Sequence, residues 1–280
     1  MSHSAAGSKV GVYVDVANMY RNGGQRLQYD ILREFACRDH ADPVRLNAYV
    51  SYDLKRAKTD FEYRARQENF HSALRDLGYK VIVKEVQWFM DDNREWVGKA
   101  NADLDLAVDA LLQSENLDRV LLVSGDGDFT QVVRALQNKG CRVEVVALHN
   151  VSRRLREEAD LFMSGFLIPG LIPLVGNDGD REASWGEAGS RVRGWCYWHH
   201  RQESWGFLRF LKHISPGLWV TDTRNPDSPY DTAFLHDSNL PDGIRGNDLP
   251  SRNHILEFTL TDTRQDERME AREVTLVSRL

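Results

Sequence analysis

Between Lys9 and Leu148, short β-branched runs alternate with longer segments of helical period, and that alternation limits the possible folds more than any other feature. Lys9–Val16 (KVGVYVDV) reads as a strand and Arg26–Arg38 as a helix. Leu46–Ser51 is a strand, and Lys58–Gly78 is one long polar helix with apolar Phe61, Ala65, Phe70 and Leu74. Tyr79–Val86 is a strand, Ala102–Gln113 a helix and Arg119–Val123 a strand. Phe129–Lys139 is a helix closed by Gly140, and Cys141–Leu148 is a strand. A chain that alternates in this way builds an α/β fold with a parallel sheet between helical layers.

The pattern then changes. Asn177–Arg193 is rich in Gly, Ser and charge, with little apolar periodicity, and reads as a linker. Beyond it come short aromatic and β-branched runs: Trp195–His199, Trp205–Leu211, Leu218–Thr221, Thr232–Leu235, Ile255–Thr259 and Val274–Val277. Turn residues separate them, which suggests a small all-β barrel. The expected organisation is an α/β domain over residues 1–170, a linker over 171–192 and a β domain over 193–280.

The charge balance, 36 Lys and Arg against 42 Asp and Glu, gives a net charge of −6. Any nucleic-acid binding must therefore rest on local patches, not on a positive field around the whole chain. Cys37, Cys141 and Cys196 lie far apart, so neither a zinc module nor a disulfide framework is expected. The opening MSHSAAGSK has no apolar signal region, and Phe166–Gly176 is too short for a membrane span. The expectation is a reduced cytoplasmic protein without membrane association.

The acids carry the chemistry. Asp15 ends the first strand, and Asp126 and Asp128 follow the strand RVLLV. In an open parallel sheet, strand C-termini share one edge and ligands bind there. A third cluster, Asp103, Asp105 and Asp109, opens the central helix. At about 100° per residue, Leu104, Ala107, Val108 and Leu111 form one apolar face. Asp103 borders that face, Asp105 turns further away and Asp109 lies almost opposite. Each acid also has an ordinary explanation: Asp103 as a carboxylate at a helix N-terminus, Asp126 and Asp128 as a turn and helix cap, and Asn18 as a turn residue. Taken together, acids at three sites on one edge favour an oxygen-lined site for Mg²⁺ or Mn²⁺. Such a site can hydrolyse a phosphodiester without a nucleophilic Ser or Cys. A phosphatase using Asp15 as nucleophile is a rival, although Ala17 stands where a second Asp is usual.

VYVDVANM, the run Lys99–Leu111 and VSGDGDF (Val123–Phe129) resemble the NYN domain family, a branch of the PIN-like nucleases, over roughly Lys9 to Phe166. The resemblance implies a Rossmann-like three-layer α/β/α fold and divalent-metal-dependent RNA cleavage. It also implies catalytic roles for Asp15, Asn18, Asp103, Asp126 and Asp128, the four aspartates as metal ligands.

Residues Arg193–Val277 resemble the cold-shock domain, a five-stranded OB-type barrel. Glu203–Leu208 and Ala233–Ser238 are similar to its two ribonucleoprotein motifs, with Glu203 in place of a usual Lys and Asp237 in place of a usual aromatic. Trp205 and Phe207 share a strand face, as do Phe234 and His236. The resemblance implies single-stranded RNA or DNA binding, with Trp198, Trp205, Phe207, Phe234 and His236 as the ring platform.

The resulting expectation is a Mg²⁺- or Mn²⁺-dependent endoribonuclease with a barrel that presents unpaired RNA. A non-catalytic RNA-binding regulator is the alternative. Lys55, Arg56, Lys58, Arg64 and Arg66 could guide the RNA backbone, although a solvated helix face is the commoner meaning of such a run. An exposed face in the first half could also carry a homodimer.

Overall fold

The computed structural model describes residues 7–90, 95–100, 102–174, 184–263 and 268–280. The chain divides into two compact units, one running to Met163 and the other from Ser164, which also groups with Arg26–Gln28.

The first unit runs β1 (Lys9–Asp15), α1 (Val16–Arg21), α2 (Tyr29–Ala36), β2 (Asp42–Tyr52), α3 (Leu54–Thr59), α4 (Phe61–Asp76) and β3 (Lys80–Glu85). It continues through β4 (Gln87–Met90), β5 (Trp96–Lys99), α5 (Ala102–Gln113), β6 (Arg119–Val123), α6 (Thr130–Asn138), β7 (Arg142–Ala147), α7 (Arg153–Glu158) and β8 (Leu161–Ser164). Six strands form one sheet in the order β3-β2-β1-β6-β7-β8. The pairings β1–β2, β2–β3, β1–β6 and β6–β7 are all parallel. β1 and β6 are buried along nearly their whole lengths because helices cover both faces of the sheet, which is why they read as continuous apolar runs.

The strand order reverses between β1 and β6. After β1 the chain steps outward through β2 and β3; after β6 it steps the other way through β7. Connections diverging from two neighbouring strands leave a crevice at their C-terminal ends. Asp15 closes β1, and Ser124 follows β6, at that point.

Several expectations need correction. The single helix over Lys58–Gly78 is two helices. Asp60, in an extended conformation, ends α3, and its carboxylate caps α4 by accepting from Tyr63 N. Gly78, at a φ of 89°, does provide the exit from α4. On α5 the buried residues are Ala102, Leu106 and Ala110, whereas Leu104 and Val108, expected on the inner face, are exposed. Asp109, expected to point outward, accepts a hydrogen bond from Tyr49 Oη at 2.8 Å. The cause is packing: small Ala102 and Ala110 let α5 lie close over Tyr13 and Tyr49, while hydrophobicity alone favoured the leucines. The β4–β5 hairpin, β8, α1 and α7 were not anticipated.

The second unit contains β9 (Arg191–His200), β10 (Trp205–Leu211), β11 (Tyr230–His236), β12 (Ser251–Thr263) and β13 (Arg268–Arg279). They close into a barrel in the order β10-β11-β13-β12-β9. All neighbours are antiparallel except β11 and β13, which meet in parallel. Val192, Leu208, Phe210, Leu235 and Phe258 fill its interior.

β9 begins at Arg191, inside the stretch that read as linker. Its arginines resemble linker charge but are cross-strand partners. Arg191 and Arg193 donate to opposite oxygens of Glu257 on β12, at 3.1 and 2.8 Å, with Val192 buried between them. The expected strand Leu218–Thr221 is a loop. It is pinned by the burial of Leu218 and by Tyr230 Oη, which donates to Leu218 O at 3.0 Å.

Candidate functional site

Asp15 is almost fully buried at the end of β1. Its Oδ1 accepts from Asn18 N at 2.9 Å, which caps the short α1. Its Oδ2 accepts from Ser124 Oγ at 3.2 Å. Burial pushes the Asp15 carboxyl above its usual range, and the neighbouring negative charge of Asp103 pushes it the same way. The two hydrogen bonds and Arg21 oppose the shift without cancelling it. The charge of Asp103 is thus felt at the buried Asp15 carboxyl.

Two further contacts order this edge, the first between the β1 and β6 ends and the second within the loop after β6. Asn18 Oδ1 accepts from Gly125 N at 3.0 Å, and Ser124 Oγ accepts from Asp126 N at 3.2 Å. Asp126 Oδ1 accepts from Asp128 N at 2.9 Å, so Asp126 caps the 3₁₀ turn Gly127–Phe129. Asp128 is exposed. Asp105 is engaged elsewhere: Lys84 Nζ lies 2.8 Å from its Oδ2. Ser124, fully buried and bonded to both strand ends, escaped the sequence reading. Its only signal was its place between an apolar run and SGDGD.

A divalent cation can be tested against these donors. They are all oxygens. The negative charge of Asp103 disfavours ionisation of the buried Asp15, and among the described residues no cationic side chain hydrogen-bonds to Asp15. A hard cation relieves that condition, and Mg²⁺ commonly takes only one or two protein carboxylates while keeping water in its other positions. Among the described residues, no group of three or more His, Cys, Asp and Glu stands close enough to hold a metal. The four expected aspartates, Asp15, Asp103, Asp126 and Asp128, therefore do not form an assembled ligand set among the described residues.

On the barrel, Trp198, Trp205, Phe207 and Phe234 form one continuous ring surface. Trp198 and Trp205 centroids lie 4.8 Å apart, Trp205 and Phe234 5.8 Å, and Phe207 and Phe234 6.1 Å. Strand register explains this: Phe207 pairs with both Trp198 and Phe234, and Trp205 pairs with His200 and His236. His236 sits in that register, but its Nδ1 is 2.8 Å from Ser238 Oγ. A bulge opposite Phe207 and Leu208 shifts the β9 alternation. Tyr197 and Trp198 both consequently reach Phe207, with centroids at 6.5 and 5.9 Å. His200, two residues beyond Trp198, stacks on Trp205 at 5.9 Å, whereas Tyr197 joins the ring cluster in a way that a strict period of two could not find. Gly206 has a close-packing role, since a Cβ there would meet Trp198 O at 2.5 Å. Glu203 Oε2 accepts from Trp205 Nε1 at 2.7 Å, and Asp237 Oδ1 lies 2.7 Å from Nε2 of the buried His199. Glu203 and Asp237 thus serve as anchors for Trp205 and His199.

A parallel sheet whose strand order reverses between β1 and β6 defines an α/β protein. Residues 9–168 match the NYN domain, and the chain belongs to the NYN domain family, part of the PIN-like nuclease superfamily. It is 29% identical over 163 residues to the "Low amplitude and bright protein LabA" of Synechococcus elongatus, covering 56% of this chain and 83% of that protein. A crystal structure of a Vibrio parahaemolyticus protein of unknown function is 27% identical, covering 58% of this chain and 96% of that one at a TM-score of 0.47. No helix among the described residues is long and apolar enough to cross a membrane.

Proposed function

We propose that the chain is a divalent-metal-dependent ribonuclease whose α/β domain cuts RNA and whose barrel holds the unpaired strand. The observation that carries the reading is the buried Asp15 carboxylate at the sheet's switch point, bonded to Asn18 N and Ser124 Oγ. Asp15 and Asp103 are the residues that would hold Mg²⁺ or Mn²⁺. The chemistry such a cation supplies is neutralisation of charge on a scissile phosphate and acidification of an attacking water. Asp15 is held in one orientation by Asn18 N and the Ser124 hydroxyl. Asn18 also fixes the Gly125 backbone. Asp126 orders the turn that carries the exposed Asp128 beside the crevice, where Asp128 can orient water without binding the ion. The overall reaction adds water at phosphorus and breaks the bond to the leaving strand oxygen.

For the second half, we read the barrel as an OB fold of cold-shock type. Its strands connect around the barrel as first, second, third, fifth, fourth and back to the first, with the third and fifth parallel, which is the Greek-key arrangement of that class. Trp198, Trp205, Phe207, Phe234 and His236 would stack on bases of single-stranded RNA. A covalently attached binding module raises the local concentration of substrate at the catalytic domain.

A non-catalytic RNA-binding regulator is the second reading. It is favoured by the absence, among the described residues, of a three-ligand metal cluster. Incubation of the full chain with end-labelled single-stranded RNA in Mg²⁺, Mn²⁺ or EDTA separates the two. Cleavage that requires metal and disappears in Asp15→Asn supports the nuclease. Tight binding with intact RNA under every metal supports the regulator.

A further inference from the structure

We propose that the β4–β5 hairpin, with Lys55 of α3, is a second stacking surface for unpaired RNA, located on the α/β unit itself and leading to the Asp15–Asp103 site. The inference rests on reading that site as one that receives RNA. Its first support is an apolar surface left exposed among the described residues. Trp88, Phe89, Met90, Trp96 and Val97 are all exposed, with Trp96 at 61%. Five large apolar side chains on one small hairpin are a costly exposure unless something binds them.

The hairpin is ordered, with Phe89 and Val97 paired on one face and the Trp88 and Trp96 rings on the other. Trp88 pairs with Gly98, and Met90 with Trp96, so Trp88, Met90 and Trp96 share one face. A Cβ at Gly98 would meet the Trp88 ring at 3.3 Å, so the missing side chain gives the indole a flat seat. Trp88 Nε1 donates to Asp53 Oδ1 at 3.3 Å, which ties the ring to the start of α3. Lys55 Nζ stands 5.4 Å from the Trp96 ring centroid. An ammonium beside an exposed indole can meet a phosphate while the ring takes the adjoining base.

Charge selects the occupant. The chain carries a net −6, yet Leu54–Asp76 contains six Lys and Arg against four Asp and Glu. Arg56, Arg64 and Arg66 are matched with Asp60, Glu68 and Glu62 on their own helices. Lys55 is instead turned towards the rings. An apolar protein partner would strip water from that ammonium without compensating it, whereas a polyanion compensates it. Base pairs within a duplex are stacked on one another, so an exposed ring favours an unpaired strand.

Topology places this surface at the site. The hairpin is inserted between the C-terminal end of β3 and α5, which opens at Ala102 and presents Asp103. Val86 N donates to Tyr52 O at 2.9 Å, fixing the hairpin's root to the end of β2. Those strand ends belong to the same sheet edge as Asp15.

The test uses the full chain and a fluorescent single-stranded oligoribonucleotide in EDTA, so that binding is read without cleavage. Trp96→Ala should weaken binding about tenfold, the scale of one lost stacked base. Trp96→Phe should restore most of it, and Lys55→Glu should weaken binding and flatten its salt dependence. RNA carrying 4-thiouridine should photo-crosslink to the peptide containing Trp96. Unchanged affinity in Trp96→Ala, together with crosslinks confined to the barrel, overturns the proposal. So does a change of oligomeric state in Trp96→Ala with RNA binding intact, which would identify a protein interface. Trp96-dependent binding without cleavage in any metal leaves this inference standing while the nuclease reading falls. Cleavage with an unchanged KM in Trp96→Ala does the reverse.

Discussion

Ser124 Oγ donates to Asp15 Oδ2 at 3.2 Å across a separation of 109 residues, joining the ends of two neighbouring parallel strands at the point where the sheet changes direction. The same hydroxyl accepts from Asp126 N, so one buried side chain connects the acid of the first strand to the acidic loop after the fourth. Ser124→Ala removes a hydrogen bond from a buried carboxylate. It should cost about 1–3 kcal/mol in chemical unfolding at neutral pH. Metal-dependent cleavage should fall as well, because Asp15 loses one of its two fixed contacts.

Asp15→Asn should be more stable than the wild type at neutral pH. The folded carboxyl is held above its ordinary pKa of 3.8, so its ionised form is disfavoured in the native state. Below that value both states bind the proton and no penalty exists. As pH rises from there through the folded value, the unfolded chain binds fewer protons and the wild type loses stability. The amide can keep the contact from Asn18 N and donate to Ser124. Thermal melts in EDTA should show a variant advantage at pH 7 that vanishes near pH 3, with cleavage abolished throughout. Equal melting temperatures at pH 7 would contradict the buried charge.

Glu144 is a buried hub in β7. Arg38 Nη2 donates to both of its oxygens at 2.8 Å, and Arg142 Nε reaches Oε1 at 3.1 Å. Arg119 stands 3.9 Å away and is bound by Asp39 as well. Glu144→Ala leaves buried guanidinium charge uncompensated and should cost about 3–5 kcal/mol. Denaturant titration checks this. A loss within error would show that the arginines reach water or Asp39 instead.

Trp198→Ala should weaken binding of single-stranded RNA by about 1–3 kcal/mol, because the exposed ring is available to a base. Circular dichroism should remain that of the wild type, because Trp198 lies outside the barrel interior formed by Leu208, Phe210 and Phe258. Unchanged RNA affinity in a folded variant would remove the barrel's ring surface from the proposed binding path.

Burial pushes the Cys196 thiol up to about 12. In the native protein at pH 8 it should resist alkylation and react fully once guanidinium unfolds the chain. Peptide mass spectrometry resolves it from Cys37 and Cys141. Rapid native labelling at Cys196 would mean that the barrel opens readily.

Sequence alone determined the features that depend on local pattern. Continuous apolar runs marked β1 and β6, because strands covered on both faces contain little else. Gly78 and Gly140 marked helix exits. The placement of Asp15 and Asp126 after β1 and β6 was legible because strand C-termini in a parallel sheet share an edge. Tertiary structure decided what depends on distant partners. Arg191 and Arg193 became strand residues only because Glu257 lies across from them, and α5 turned Leu104 outward because Ala102 and Ala110 permit a closer approach to the sheet. The barrel bulge put Tyr197 beside Phe207, and only folding brought Ser124 to Asp15. Periodicity records what one segment needs to bury. It cannot record which charge, ring or hydroxyl from another segment will meet it.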